Sequence, residues 1–211
     1  MVKKLKFKKR LLKKSRDLPT LLLEQKAKQQ GHRHIAGIDE AGRGPLAGPV
    51  VAACVILKRF DFTTKIDDSK RLSASLREKA YSQILERAHV GLGIVFKDTI
   101  EDINIRNATM LAMKYACFDL PVEPDMLLVD GILDLKLPFK QLCVIGGDRK
   151  SLSIAAASIV AKVTRDKLMV FYDGLFPKWG LATHKGYGTR AHFQAISKYG
   201  LSPLHRESFI K

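Results

Sequence analysis

The chain has 211 residues, 46% of them hydrophobic, enough for one packed core with appendages and too few for several large domains. Lys and Arg total 37 against 21 Asp and Glu, a formal net charge of +16 that favours a polyanionic partner. No stretch approaches the roughly 20 apolar residues of a membrane span, and Leu21-Leu22-Leu23 is too short for a secretory signal, so a cytoplasmic protein with no membrane partner is expected.

Nine of the basic residues, and no acid, fall within residues 1–16, so the body still carries a formal +7. Residues 1–33 form a basic, leucine-dotted extension interrupted by Pro19. Two readings of it stay open, an amphipathic helix and a solvated tail. The body, residues 34–211, reads as one catalytic domain that includes a C-terminal region from about residue 175.

Residues 35–38 are a short apolar run of strand character, and they end in two acids, Asp39-Glu40. Gly42-Arg43-Gly44-Pro45 follows, then the β-branched run 50–57. A carboxylate where a strand leaves the core is costly unless paired or metal-bound. Gly42 to Ala47 fits G-x-G-x-x-A, but a dinucleotide site needs a helix next, and residues 50–57 read as strand. A nicotinamide or flavin cofactor is therefore not expected.

Asp67-Asp68-Ser69-Lys70-Arg71-Leu72 reads as a polar loop, and Ser73 as the N-cap of a helix to about residue 88. Leu76, Ala80, Tyr81, Ile84 and Leu85 form its apolar stripe. Residues 89–96 alternate as a strand, and 99–118 are helical in two pieces. The apolar run 126–129 ends in Asp130-Gly131, and 141–145 ends in Gly146-Gly147-Asp148. Ser151 then caps a small-residue helix to about 169, and a last helix falls near 190–198. Cys54, Cys117 and Cys143 lack C-x-x-C spacing and suit a reducing compartment, with Cys54 and Cys143 read as buried. Phe171, Phe176 and Trp179 read as core. Ser158 reads as a packing hydroxyl and Asp166 as an ordinary ion-pair partner.

Three strands thus end in acids: Asp39-Glu40, Asp130 and Asp148. Loops converge at strand ends in α/β sheets, and carboxylates gathered there need a counter-cation. An oxygen-only set suits Mg²⁺ or Mn²⁺ rather than zinc. Two such ions between carboxylates are an apparatus for phosphodiester hydrolysis. Lys70, Arg43 and Lys185 are candidate phosphate contacts.

Ile38-Asp39-Glu40-Ala41-Gly42-Arg43-Gly44-Pro45, Asp68-Ser69-Lys70, Val129-Asp130-Gly131, Gly147-Asp148, the segment from Ala155 to Asp166 and His184-Lys185-Gly186-Tyr187-Gly188-Thr189 closely resemble bacterial ribonuclease HII. The resemblance runs from about Ile35 to Phe209. It implies an α/β, RNase H-like fold: a five-stranded mixed β-sheet flanked by helices, with a small C-terminal helical region. It implies cleavage of the RNA strand of RNA/DNA hybrids and incision 5′ of ribonucleotides in duplex DNA, with two divalent ions, Mg²⁺ or Mn²⁺. It makes Asp39, Glu40, Asp130 and Asp148 the metal-binding catalytic acids. It also implies that Gly42-Arg43-Gly44 senses the ribose 2′-OH and that Tyr187 stacks on the next deoxyribose. Arg43 and the short extension favour this family over ribonuclease HIII, which typically has lysine between those glycines and a larger N-terminal domain. A monomer is expected. The alternative is a non-catalytic basic nucleic-acid-binding protein, which has no reason to end three core strands in acids.

Overall fold

The computed structural model describes residues 18–210; the basic stretch 1–16 lies outside them. The described residues form five strands, β1 (Ile35–Ala41), β2 (Val50–Leu57), β3 (Ala88–Val95), β4 (Met126–Asp130) and β5 (Lys140–Val144), in the order β3-β2-β1-β4-β5. β3, β2 and β1 run antiparallel as a meander, while β4 and β5 run parallel to β1. The loop 42–49 turns the chain back so that β2 runs antiparallel to β1, whereas β4, reached from β3 through residues 96–125, comes in parallel to β1 on its other side, and this makes the sheet mixed.

The helices are α1 (Leu22–Gln29), α2 (Ala74–Arg87), α3 (Lys97–Phe118), α4 (Leu152–Leu175), α5 (Leu181–His184) and α6 (Arg190–Tyr199). α3 covers one face of the sheet, where Ala108, Ala112, Met113 and Ala116 meet Ile38, Ala52 and Val129. α4 and α2 cover the other, where Ala155, Ala156, Ala157 and Ile159 meet Ala53, Val55, Ala80 and Ile84. β2 is covered on both faces, which is why its sequence is an unbroken apolar run. Burying a side chain such as Ile38, with no solvent exposure, contributes about 1.5–3 kcal/mol.

Gly37 shows how closely α4 is pressed on β1: an added Cβ would fall on the backbone of Ser153 and Ile154. That contact seats the start of α4 beside the acid end of β1. Ser73 and Ser151 cap α2 and α4 through the amides of Leu76 and Ile154. α3 is broken at Asn104 (φ 64°), whose Oδ1 accepts from the amides of Arg106 and Asn107 and restarts the helix. α1 is tied in by buried Glu24, which accepts from the Ser151 hydroxyl (2.6 Å) and the Ser153 amide (2.9 Å). None of the helices is long and apolar enough to cross a membrane among the described residues.

Several sequence expectations need correction. α4 continues to Leu175 rather than ending near residue 169. Leu76 and Leu85 of the expected stripe are exposed, and only Ala80 and Ile84 are buried. Cys143 is exposed because β5 is an edge strand that is little covered on either face, its neighbour Leu142 being exposed as well. Phe171 is exposed on the outer side of α4, while Phe176 and Trp179 pack half-buried on Ala47, Met169 and Leu181. The loop 67–72 is polar at its surface, yet Asp67 and Leu72 are buried.

Candidate active site

β1 and β4 deliver the first acids. Ile38 pairs with Val129, so Asp39 and Asp130 are the next positions on neighbouring parallel strands about 4.8 Å apart. A 3₁₀ turn at Gly147–Arg149, between β5 and α4, brings Asp148 to the same end. The Gly147 amide donates to Asp130 Oδ1 at 2.6 Å, joining the two. Asp39 and Glu40 floor a cleft of about 580 Å³. The segment Gly42-Arg43-Gly44 walls one side and Tyr187 another; Ser69, Lys70, Ser158 and Lys162 also line it.

The acids sense one another. Burial, reinforced by the charges of Glu40 and Asp130, pushes the Asp39 carboxyl well above its ordinary range. Two hydrogen bonds oppose this, from the Ser158 hydroxyl and from the Glu40 amide (2.8 Å). Burial also raises Glu40, opposed mainly by Arg43, whose guanidinium lies 3.3 Å from Oε1. Burial raises Asp148, with the Asp68 and Asp130 charges adding to it. Lys70 opposes the rise at both Glu40 and Asp148, which places its ammonium between them electrostatically.

Among the described residues no three His, Cys, Asp or Glu side chains form a ready-made metal cage. The present partners explain this: Glu40 is turned to Arg43, Asp130 to the Gly147 amide, and Asp148 stands 4.0 Å from Arg149. The donor chemistry nevertheless fits a hard divalent ion. Every candidate ligand is a carboxylate oxygen, and three of the four carboxyls are held above their ordinary pKa by burial, with neighbouring carboxylate charges adding to it, a strain that a bound cation would relieve.

The loop between β1 and β2 is held by two fully buried arginines. Arg165 of α4 donates to the carbonyls of Pro49 (2.9 Å), Ala47 (3.0 Å) and Lys185 (2.9 Å). Arg206 donates to those of Gly42 (2.7 Å), Arg43 (3.1 Å), Pro45 (3.0 Å) and Gly48 (2.7 Å). Burial lowers both guanidiniums, Arg206 additionally through the nearby Arg165 charge, but an arginine stays protonated. Gly42 is required here: its φ is +100°, and an added Cβ would sit 2.5 Å from the Pro49 carbonyl.

Tyr187 is fixed from behind by neutral histidines. The Ser202 amide donates to His205 Nδ1 (2.9 Å), so His205 carries its proton on Nε2 and donates to His192 Nε2 (3.0 Å). His192 then donates from Nδ1 to the Tyr187 carbonyl (3.0 Å). The donor of each pair follows from the acceptor role forced on its neighbour.

The structure therefore brings together Asp39, Glu40, Gly42, Arg43, Gly44, Lys70 and Tyr187 around the cleft, with Asp130 and Asp148 beside its floor. Lys185 is set apart. Its ammonium bonds the Ala182 carbonyl and lines a neighbouring hollow of about 320 Å³ with Arg77 and Lys167. Ser158, read from the sequence as a packing hydroxyl, lines the cleft, as does Lys162, to which the sequence reading gave no role. Their i, i+4 spacing, extended by Arg165 at i+7, marks one helix face and was the available signal. Asp166 is an ion-pair partner as expected, of Lys162 (2.7 Å) and Arg77 (3.8 Å).

The comparisons with known proteins agree with this geometry. The model of the family described as Ribonuclease HII matches residues 36–211. The chain belongs to the ribonuclease HII family. Ribonuclease HII of Acetivibrio thermocellus is 50% identical over 210 residues, covering 99% of this chain and 81% of that one. Among solved structures, ribonuclease H2 from Pyrococcus horikoshii OT3 superposes with a TM-score of 0.71 at 24% identity, over 83% of this chain and 93% of that chain. Bst-RNase HIII, solved in complex with Mn²⁺, superposes at 0.68 with 20% identity, over 84% and 67%. The fold is thus RNase H-like, as the resemblance implied. The chain is a ribonuclease H, a metal-dependent enzyme that cleaves the RNA strand of RNA/DNA hybrids. That membership sets aside the non-catalytic binding protein.

Proposed function

We propose that the chain also incises the backbone 5′ of ribonucleotides embedded in duplex DNA, using two divalent ions, Mg²⁺ or Mn²⁺, held by Asp39, Glu40, Asp130 and Asp148. The observation that carries this reading is the meeting of four carboxylates at the ends of β1, β4 and the Gly147–Arg149 turn, beside the loop 42–49. The ions would supply Lewis-acid stabilisation of the phosphoryl charge and an activated water.

The side chains take the remaining roles. The Ser158 hydrogen bond favours the ionised form of Asp39. Arg43 neutralises Glu40 in the free protein and is released towards a phosphate once Glu40 has a cation. Lys70 stands among the acids, where it pairs with backbone phosphate of the substrate. Lys185 stands outside the cleft, so its phosphate contact lies farther along the duplex. Glycines at 42 and 44 let the backbone approach the 2′-OH, which marks RNA at any base. Tyr187, 43% exposed and facing Gly44 across the cleft, packs on the following deoxyribose.

The test is a labelled DNA duplex with one embedded ribonucleotide, incubated with Mg²⁺, with Mn²⁺ and with chelator. A single cut 5′ of the ribonucleotide, abolished by chelator, is expected. No cut there, alongside cleavage of a continuous hybrid, would reject the embedded-ribonucleotide activity. Tyr187→Ala should lose far more activity on the single ribonucleotide than on the continuous hybrid.

A further inference from the structure

We infer that Arg206 is a specificity-positioning residue: it sets two peptide planes of the loop 42–49 so that the amides of Arg43 and Gly44 are aimed at the ribose hydroxyl. This deepens the reading above and rests on the loop being the 2′-OH reader.

The geometry is simple. The carbonyl of Gly42 and the amide of Arg43 belong to one peptide unit, as do the carbonyl of Arg43 and the amide of Gly44. The described chain has no cis peptide, so in each unit C=O and N–H point in opposite directions. Arg206 Nη2 holds the Gly42 carbonyl at 2.7 Å, and Nη1 holds the Arg43 carbonyl at 3.1 Å. The guanidinium is fully buried, so both carbonyls point inward and both amides point outward, on the side where Gly42, Arg43 and Gly44 line the cleft.

The guanidinium's planar fork is what makes this possible. It bridges four carbonyls, those of Gly42, Arg43, Pro45 and Gly48, from one rigid group. A flipped Gly42–Arg43 or Arg43–Gly44 peptide would present an oxygen to the hydroxyl and an N–H to a buried cation, so Arg206 selects against both. Arg165 holds the same loop at Ala47 and Pro49, past the reading segment, and holds the Lys185 carbonyl. It anchors the loop without fixing those two planes.

The experiment compares Arg206→Lys with Arg165→Lys. Each retains a cation and loses the fork. Binding is measured for a duplex with one ribonucleotide and for its all-DNA counterpart, with Ca²⁺ in place of Mg²⁺ and strand integrity checked on a gel. Wild type should prefer the ribonucleotide duplex. Arg206→Lys should lose that preference by about tenfold, the ratio expected from two hydrogen bonds, with little change in all-DNA affinity. Arg165→Lys should keep most of the preference despite a comparable loss of thermal stability.

A preserved ratio in Arg206→Lys, or an equal loss in Arg165→Lys, would overturn the assignment. Absence of any preference in wild type would instead reject the proposed reading of the loop. Should Arg206→Lys fail to fold, wild type decides by itself. The Arg43 and Gly44 amide resonances should shift on titration with the ribonucleotide duplex and not with the all-DNA duplex; equal shifts would reject the idea.

Discussion

Two regions of this molecule bury like charges side by side, and they treat them oppositely. At the ends of β1 and β4, Asp39, Glu40, Asp130 and Asp148 crowd together with incomplete partners, and burial holds three of them above the ordinary carboxyl range. Beside them, under the loop that follows β1, Arg165 and Arg206 are buried completely, but each is met by several backbone carbonyls. A carbonyl cradle returns much of the hydration a guanidinium loses; it never dissociates and has no other use. The acid cluster is left short of positive charge, which a divalent ion and a substrate can provide. Incomplete partnership marks the working region, and complete partnership marks its support.

The sharpest way to break the comparison is to neutralise one member of each pair. Asp39→Asn or Asp130→Asn should reduce cleavage on the order of a thousandfold, ~4 kcal/mol of barrier, while the melting temperature at neutral pH holds or rises. Relief of like-charge repulsion gives the sign of the stability change. Rates near wild type in Mg²⁺ would remove these acids from the centre. Arg165→Met should do the reverse. It leaves the Ala47, Pro49 and Lys185 carbonyls without donors and should cost about 3–5 kcal/mol of stability by urea unfolding. A loss below about 1 kcal/mol, the size of an exposed pair, would mean the arginine is solvated in solution.

A third buried cluster sharpens the rule because it avoids charge altogether. Burial holds His192 neutral, its pKa down at about 4. The unfolded chain therefore takes up a proton that the folded chain refuses as pH falls from about 6.5 to about 4. Stability should fall across that window, by up to about 3 kcal/mol for His192, and level off below it. His192→Gln should flatten the pH dependence of urea stability there. An unchanged slope would place the imidazole in contact with water.

These contrasts also explain which parts were legible from sequence. The strand β2 and the caps Ser73 and Ser151 follow from local chemistry, an apolar run and a hydroxyl before a helix. The four acids were legible because each closes an apolar run. Exposure of Leu76, Leu85, Phe171 and Cys143 was not, since it depends on which side a neighbour covers. Arg165 and Arg206 were invisible for a different reason. Arginine is ordinarily a surface residue, and nothing local says that seven carbonyls will close around two of them. Ser158 belongs to the same class: a small hydroxyl on an alanine-rich helix looks like packing until β1 is placed beneath it.

Ser158 gives the smallest and most specific of the expected effects. Its hydroxyl lies 3.0 Å from that of Ser69 and donates to Asp39, so Ser69 supplies the proton of the serine pair. Hydrogen bonding to the ionised form lowers a carboxyl pKa, and here it works against burial. Ser158→Ala removes that brake. The Asp39 carboxyl should rise further, and the acid limb of log kcat/KM against pH should move to higher pH, with the alkaline limb unmoved. The cost in stability should be about 1 kcal/mol, one buried hydrogen bond. Loss of activity by the same factor at every pH would assign Ser158 to packing alone. A limb that moves to lower pH would mean that the hydroxyl serves the protonated form of Asp39 instead.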